Sequence, residues 1–496
     1  MMSEPRNFHN YIGGQWLAPG SGRYLENQNP ADRRQTLGFF PDSNAGDVDQ
    51  ALSAAQAAQA GWSRTPAPRR AEILFRAGQL LTERKSEYAA AMTREMGKVR
   101  LEAEGDVQEA IDMLFFMAGE GRRLYGQTTP SELPDKICLT RRVPVGVAGL
   151  ITPWNFPMAI PSWKSAPALL CGNTVVLKPS EDAPLSAVHW TQTLEAAGLP
   201  PGVLNLVMGR GETAGAALVR DARTRIISFT GSSDTGREVG REAAAGFKRC
   251  NLEMGGKNAI LVLDDAPLEL ALEGALWGGF GTSGQRCTAA SRIIVQKGIL
   301  AGFLKLFVEQ TRKLQIGNGL DPGVQIGPLV NAAQLEKVEH YARLGASEGA
   351  RLATGGRRAV EGELRHGYFF QPTIFAEVEP NMRIAREEIF GPVVCVLACD
   401  GLEDGLAIAN GTGYGLSASI YTHDVQKALR AQDALEAGIV YINAPTIGAE
   451  VHLPFGGVKQ SGNGHRESGL ATLDVYSDWK TVYMDYSGRL QRAQID

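Results

Sequence analysis

Between residues 45 and 125 the apolar positions recur at helical spacing. In AEILFRAGQLL, Ile73, Leu74, Ala77, Leu80 and Leu81 share one face, and VQEAIDMLFFMAGEG repeats the pattern. From about residue 136 the texture changes. KICLTRRVPVGVAGLITP is β-branched and punctuated by Pro and Gly. Short apolar runs then alternate with helical stretches: TVVLKP, SAVHWTQTLEAAG, GVLNLVMG, TAGAALVRD, TRIISFTGS, DTGREVGREAAA. Strand–helix alternation of this kind predicts a parallel sheet with helices on both faces. The alternation pauses at GGK (255–257), resumes at NAILVLDD, passes through a helical stretch to about 280 and runs on to about 445. The expectation is an α/β protein of two doubly wound units, with ligands bound in the cleft between them. The closing residues return to Gly-rich loops and one extended piece, WKTVYMDYSG.

Composition narrows the function classes. The chain has 496 residues, 44% hydrophobic and 21% charged, with a net charge of −4 and no long basic or acidic block. Nucleic acid and anionic membrane are therefore not expected partners. Cys395 and Cys399 in CVLAC have no nearby His or Cys to complete a metal site and read as core strand, so no metal is expected. Few cysteines in a long chain, no apolar signal core in MMSEPRNFHN and no unbroken apolar span lead to the expectation of a soluble, cytoplasmic protein.

Several short motifs could carry chemistry. In GTSGQRCT, Cys287 sits among small residues with Arg286 before it. Small neighbours leave room for a ligand, backbone N–H groups can hold an oxyanion, and a cation or dipole can lower a thiol's pKa. A buried structural cysteine is an equally good reading of that stretch alone. Asn155 lies between two prolines in ITPWNFP and offers a fixed, neutral donor. Glu253, in LEMGGKNA, has apolar neighbours that would desolvate it into the range of a general base. IISFTGSSDTGREVG turns from strand to helix at Gly231 and Ser232, where free N–H groups face an anion, although its spacing departs from the dinucleotide fingerprint. Lys178 and Glu181 in VVLKPSE follow a strand and suit ribose hydroxyls, or form a solvated pair. Glu387 and Glu388 in REEIFGPV are adjacent and so point apart, which rules out a glycosidase pair and leaves one to bind hydroxyls.

In order along the chain, YIGGQW, PVGVAGLITPWNFP, KPSE, FTGS, LEMGGKN, FGTSGQRCTA, IGPLV, EEIFGPV and PFGGVKQSG closely resemble the aldehyde dehydrogenase superfamily, over nearly the whole sequence. The resemblance implies that Cys287 is the nucleophile, Glu253 the water-activating base, Asn155 an oxyanion donor beside the Cys287 N–H, and Lys164 a supporting lysine. It implies cofactor contacts from Ile151, Trp154, Lys178, Ser180, Glu181, Gly231, Ser232, Gly236, Glu388 and Phe390, and an aromatic substrate tunnel from Phe156, Trp163 and Phe455. It further implies a cofactor-binding domain (1–123 and 145–256, with 456–474 returning to it) and a catalytic domain (257–455). An oligomerisation arm (124–144 and 475–496) would join a homodimer or homotetramer.

The expected reaction is oxidation of a small aldehyde to its acid through a cysteine thioester. NAD is expected, because Glu181 would repel a 2′-phosphate, with NADP as the alternative. A CoA-acylating relative would not need Glu253, a cysteine protease would need a histidine beside Cys287, and a non-catalytic protein would not need the complete set. Two departures bear on substrate choice. Met254 stands where the family often has Leu, and SGNGHRESG is one residue longer than the common form. NAPTIGAEVHLPFGG is similar to a bacterial subgroup with semialdehyde-oxidising members.

Overall fold

The computed structural model describes residues 6–495. A first seven-stranded sheet runs in the order Arg249–Glu253, Thr224–Thr230, Val147–Thr152, Thr174–Pro179, Leu204–Leu206, Asn10–Ile12 and Gln15–Leu17. The first five of these strands are parallel and the N-terminal hairpin is antiparallel. A second seven-stranded sheet runs Arg351–Thr354, Thr373–Ala376, Val393–Cys399, Ala290–Gln296, Asn258–Val262, Ser417–Tyr421 and Ile439–Ile442, parallel except for its first pair. Every residue of Val147–Thr152, Thr174–Pro179 and Asn258–Val262 is buried. Strands covered on both faces need continuous apolar runs rather than alternation, which is the texture seen in the sequence.

The helical region forms three helices, Ala45–Arg64, Ala67–Met96 and Arg100–Glu120. The first starts with a capping box in which Asn44 and Asp47 satisfy each other's backbone N–H groups. A three-stranded antiparallel sheet, Ser477–Asp485, Lys136–Pro144 and Thr128–Pro130, stands apart from both large sheets. It carries Ile137, Trp479, Tyr483 and Met484 exposed. Cys395 and Cys399 are buried in a strand, as expected. No helix among the described residues is long and apolar enough to cross a membrane.

Parallel topology sends the carboxyl ends of neighbouring strands to one edge, where ligands bind in such sheets. Register places Ile151 beside Lys178 and Phe229, and Thr230 beside Glu253. The chain therefore leaves the first sheet at PWNFP, KPSE, TGS and EMGG along one rim.

One buried ion pair holds this rim. The helix Ala159–Leu170 has no side-chain cap of its own. Asp106 supplies one from a distant helix, its Oδ1 accepting the N–H groups of Met158 (3.3 Å) and Ala159 (2.7 Å). Its other oxygen meets Lys98 Nζ at 2.8 Å, and both side chains are fully buried. The ammonium also lies 3.9 Å from the centre of the Phe156 ring. Asp106→Ala would leave a buried charge unpaired and a helix uncapped. The expected loss is about 3–5 kcal/mol, seen as a lower thermal midpoint; an unchanged midpoint would contradict this role.

Candidate active site

The nucleophile loop is rigid rather than open. After the helix Leu268–Phe280 the chain makes one 3₁₀ turn, Gly281–Gly284, in which Thr282 (φ 51°) and Ser283 (φ 54°) are left-handed. That conformation is costly for side-chain-bearing residues. Hydrogen bonds hold it: Thr282 N–H to Glu102 Oε1 (2.7 Å), and Ser283 Oγ to the Gly327 carbonyl (2.8 Å). Gln285 is clamped in turn, accepting the Val330 N–H at 3.0 Å. A Cβ on Gly284 would strike the Gly391 backbone. Gly284 therefore permits tight packing beneath the loop, while Thr288 borders a cavity at Cys287.

Two cavities meet at Cys287. One, about 170 Å³, is lined by Trp154, Asn155, Gly231, Ser232, Gln334, Glu388 and Phe390 among others. The second, about 110 Å³, is lined by Phe156, Trp163, Phe455, Glu109, Glu253 and Arg286 among others. Cys287, Ile160, Thr230 and Met254 border both.

Asn155 is buried and donates one amide N–H to the Gln285 carbonyl at 3.1 Å. This fixes the amide while its second hydrogen stays uncommitted among the described residues. Glu253 ends its strand at 2% exposure; among the described residues neither carboxylate oxygen has a side-chain partner, and the Gly457 N–H is the backbone donor beside it. Burial, then the nearby Glu467, push its pKa well above the usual carboxylate range, against the pull of Lys164 and Arg466. Lys164 does not touch Glu253. It is fully buried, pairs with Glu467 and donates to Ser228 Oγ at 2.9 Å. Glu467 also accepts from Asn251 Nδ2 at 3.0 Å. Glu467 was not singled out in the sequence; the signal was a lone acid in the Gly-rich HRESG, read there only as a length change.

Cys287 is half-buried, and its thiol is pushed up to about 12, first by desolvation and then by the Glu253 and Glu388 carboxylates, with Arg286 pulling the other way. The expected lowering by a nearby cation is thus outweighed.

On the other side of Cys287, Ser232 caps the 13-residue helix Ser233–Ala245, its Oγ accepting the Thr235 N–H at 3.3 Å. Gly231 and Ser232 line the cavity at this helix N-terminus. Glu388 accepts the Gly256 N–H at 2.9 Å, whereas Glu387 turns away to Arg383 and Tyr341. Phe390 is left-handed (φ 60°), its carbonyl held by Gln334 Nε2 at 2.7 Å, and its ring meets Trp154 edge-on at 5.4 Å. Gln334 was another residue the sequence reading missed. Trp163 and Phe455 meet edge-on at 4.9 Å in the other cavity.

Some expected contacts sit elsewhere. Ile151 is in the apolar core beneath the rim, and Gly236 is buried where a Cβ would collide with Met254. Lys178 pairs with Glu181 at 3.1 Å beside Ser180, one strand over from the cavities at Cys287.

A family model described as "Aldehyde dehydrogenase family" matches residues 16–482. The chain belongs to the aldehyde dehydrogenase family. It is 42% identical to the alpha-ketoglutaric semialdehyde dehydrogenase of Bacillus subtilis, across 98% of this chain and 99% of that one. It is 41% identical to the betaine aldehyde dehydrogenase of Cereibacter sphaeroides, across 98% of each. A crystal structure of betaine aldehyde dehydrogenase from Staphylococcus aureus, in complex with NAD+, superposes with a TM-score of 0.95 at 33% identity, covering 97% of this chain and 96% of that one. As a member of this family the protein is an aldehyde dehydrogenase, an oxidoreductase of the NAD(P)-dependent class.

The cleft suits such a cofactor. It offers a free helix N-terminus for an anionic group, a carboxylate at Glu388, an aromatic wall, and Thr230 Oγ1 buried without a protein partner.

Iodoacetamide should label Cys287 slowly at neutral pH and faster as pH rises. Glu253→Gln removes the charge that contributes most to raising the thiol. Peptide mapping at mildly alkaline pH should then show several-fold faster labelling. An unchanged rate would mean the two groups do not sense each other.

Proposed function

We propose that the protein oxidises an aldehyde to the carboxylic acid, with Cys287 as nucleophile and Glu253 as the base that activates water. The observation that carries this reading is the junction of two cavities at one half-buried thiol. One cavity has the fittings for a dinucleotide; the other is apolar, with carboxyl groups at its wall.

The aldehyde carbon approaches Sγ from the Trp163–Phe455 side. As Sγ adds, its proton passes to water and the carbonyl oxygen gains charge. The spare Asn155 N–H and the Cys287 backbone N–H stabilise that oxygen. When bound, the nicotinamide accepts the hydride whose departure leaves a thioester. Glu253 then takes a proton from water, which attacks the thioester and frees the acid. Lys164, held by Glu467, stays out of contact with the base, so the base keeps its basicity.

NAD is the proposed cofactor, because Glu181 at the end of its strand would oppose a 2′-phosphate; a comparison of kcat/KM for NAD and NADP checks this. Glu253, facing the same cavity as Cys287, favours water over CoA as the acyl acceptor. A semialdehyde is the proposed substrate, supported by relatives at 39–44% identity named for such substrates. The three-stranded sheet, with its exposed Trp479, Tyr483 and Met484, is the proposed contact between subunits of a homo-oligomer. Residues 1–123 and 145–256 would form the cofactor domain, joined by 456–474, and 257–455 the catalytic domain. Six unpaired thiols suit a reducing cytoplasm.

Cys287→Ala should abolish aldehyde-dependent NADH formation while NAD binding persists; retained turnover would overturn the assignment. Glu253 acts only when ionised, so its pKa sets the acid limb of the rate. Glu467→Gln removes the carboxylate that raises that pKa and leaves Lys164 free to lower it further. The acid limb of acid formation should therefore move to lower pH. A shift to higher pH would remove Glu253 from that role.

A further inference from the structure

The substrate cavity contains two polar groups that the chemistry above does not use, Arg286 and Glu109. Arg286 precedes the nucleophile, so its side chain lies within one arginine length of the thiol. Its Nε donates to Thr282 Oγ1 at 2.9 Å, and Nη2 reaches Glu102 Oε1 at 3.3 Å. These two contacts, with the faces of Phe156 (5.4 Å) and Trp277 (5.0 Å), hold the guanidinium still. Nη1 has no acceptor among the described residues, so part of a five-donor group remains unused at 13% side-chain exposure. Glu109, on the helix Arg100–Glu120, borders the same cavity and likewise has no hydrogen-bond partner among the described residues.

We propose that Arg286 is the specificity-determining residue of this cavity: its guanidinium receives a carboxylate at the distal end of a short aldehyde, with Glu109 as the second polar partner. This rests on the aldehyde-oxidising reading of Cys287 and identifies what would select the semialdehyde. A fixed guanidinium with free donors matches a carboxylate's geometry. The nearby Lys98 is fully buried and pairs with Asp106 at 2.8 Å, whereas the Arg286 ion pair with Glu102 is longer, 3.3 Å, and leaves Nη1 without an acceptor among the described residues. Burial, then Asp106, push Glu109 up to about 8 against Arg286 and Lys98, which reduces its repulsion of an incoming anion. A cationic substrate would meet the Arg286 charge. The short distance between Arg286 and the thiol favours short chains.

The test compares glutaric semialdehyde, pentanal and a trimethylammonium aldehyde of the same length, with NAD added. The wild-type protein should favour the semialdehyde in kcat/KM by about tenfold or more. Arg286→Gln should reduce that preference by about 10- to 100-fold, through KM rather than kcat, and Arg286→Lys should restore most of it. In the Cys287→Ala background, calorimetry should show glutarate binding weakened by Arg286→Gln to a similar degree. An unchanged preference in Arg286→Gln, or semialdehyde and pentanal turnover falling together, overturns the proposal. So does wild-type preference for pentanal or for the ammonium aldehyde, with aldehyde oxidation itself standing. Oxidation of none of the three would remove the underlying reading as well.

Discussion

A carboxylate that is buried, unpaired and open to the same cavity as a thiol is the constraint around which this structure is arranged. Glu253, at 2% exposure, has no side-chain partner among the described residues. An isolated buried charge is expensive, and a group in that position responds by holding its proton more tightly. The usual remedy, a salt bridge to a lysine, would stabilise the anion and remove its basicity. Lys164 is close enough to influence Glu253, but Glu467 takes the direct contact, with Ser228 and Asn251 completing the cluster. Glu253 is thus influenced by a cation that pairs with Glu467 instead. That arrangement needs Lys164 on a helix, Ser228 and Asn251 on adjacent parallel strands and Glu467 on a returning loop, all fixed relative to one another.

The rigidity needed comes from hydrogen bonds that cross between elements far apart in sequence. Glu102 holds both Thr282 and Arg286, while Asp106, one helical turn on, caps the helix behind Asn155. A single helix, Arg100–Glu120, therefore ties the loop before Cys287 to the turn bearing Asn155. Left-handed Thr282, Ser283 and Phe390 lie on segments bordering the site. Their local strain is held in place by Glu102, Gly327 and Gln334. Loops positioned this way are fixed like the sheets they leave.

The α/β alternation and the three long helices were legible because continuous apolar strands and amphipathic helices leave periodic marks over many residues. The N-terminal strands Asn10–Ile12 and Gln15–Leu17 were not read as strands, since three residues carry no period. Cys287, Asn155, Glu253 and Glu388 were legible because each stands in a motif at the end of an element. Glu467, Gln334 and Glu109 were not, because each works through space from a segment with no local signal. The close packing of Gly284 left no local mark either, since Gly391, which it meets, lies far along the chain.

That division has a consequence for substrate choice. The groups assigned to the chemistry sit at the rim of the first sheet or on loops locked to it, so displacing them disturbs the fold. The walls of the substrate cavity come from the helix bearing Glu109, the helix bearing Trp163, the residue before the nucleophile and the loop bearing Phe455. Apart from Thr230 and Glu253, which end strands at the same cavity, its lining side chains lie off the strands, and Glu109 has no hydrogen-bond partner among the described residues. The cavity can therefore change its charge and shape while Cys287, Asn155 and Glu253 keep their places. Similar sequences can then share one reaction while differing in the side chains, such as Arg286 and Glu109, that border this cavity.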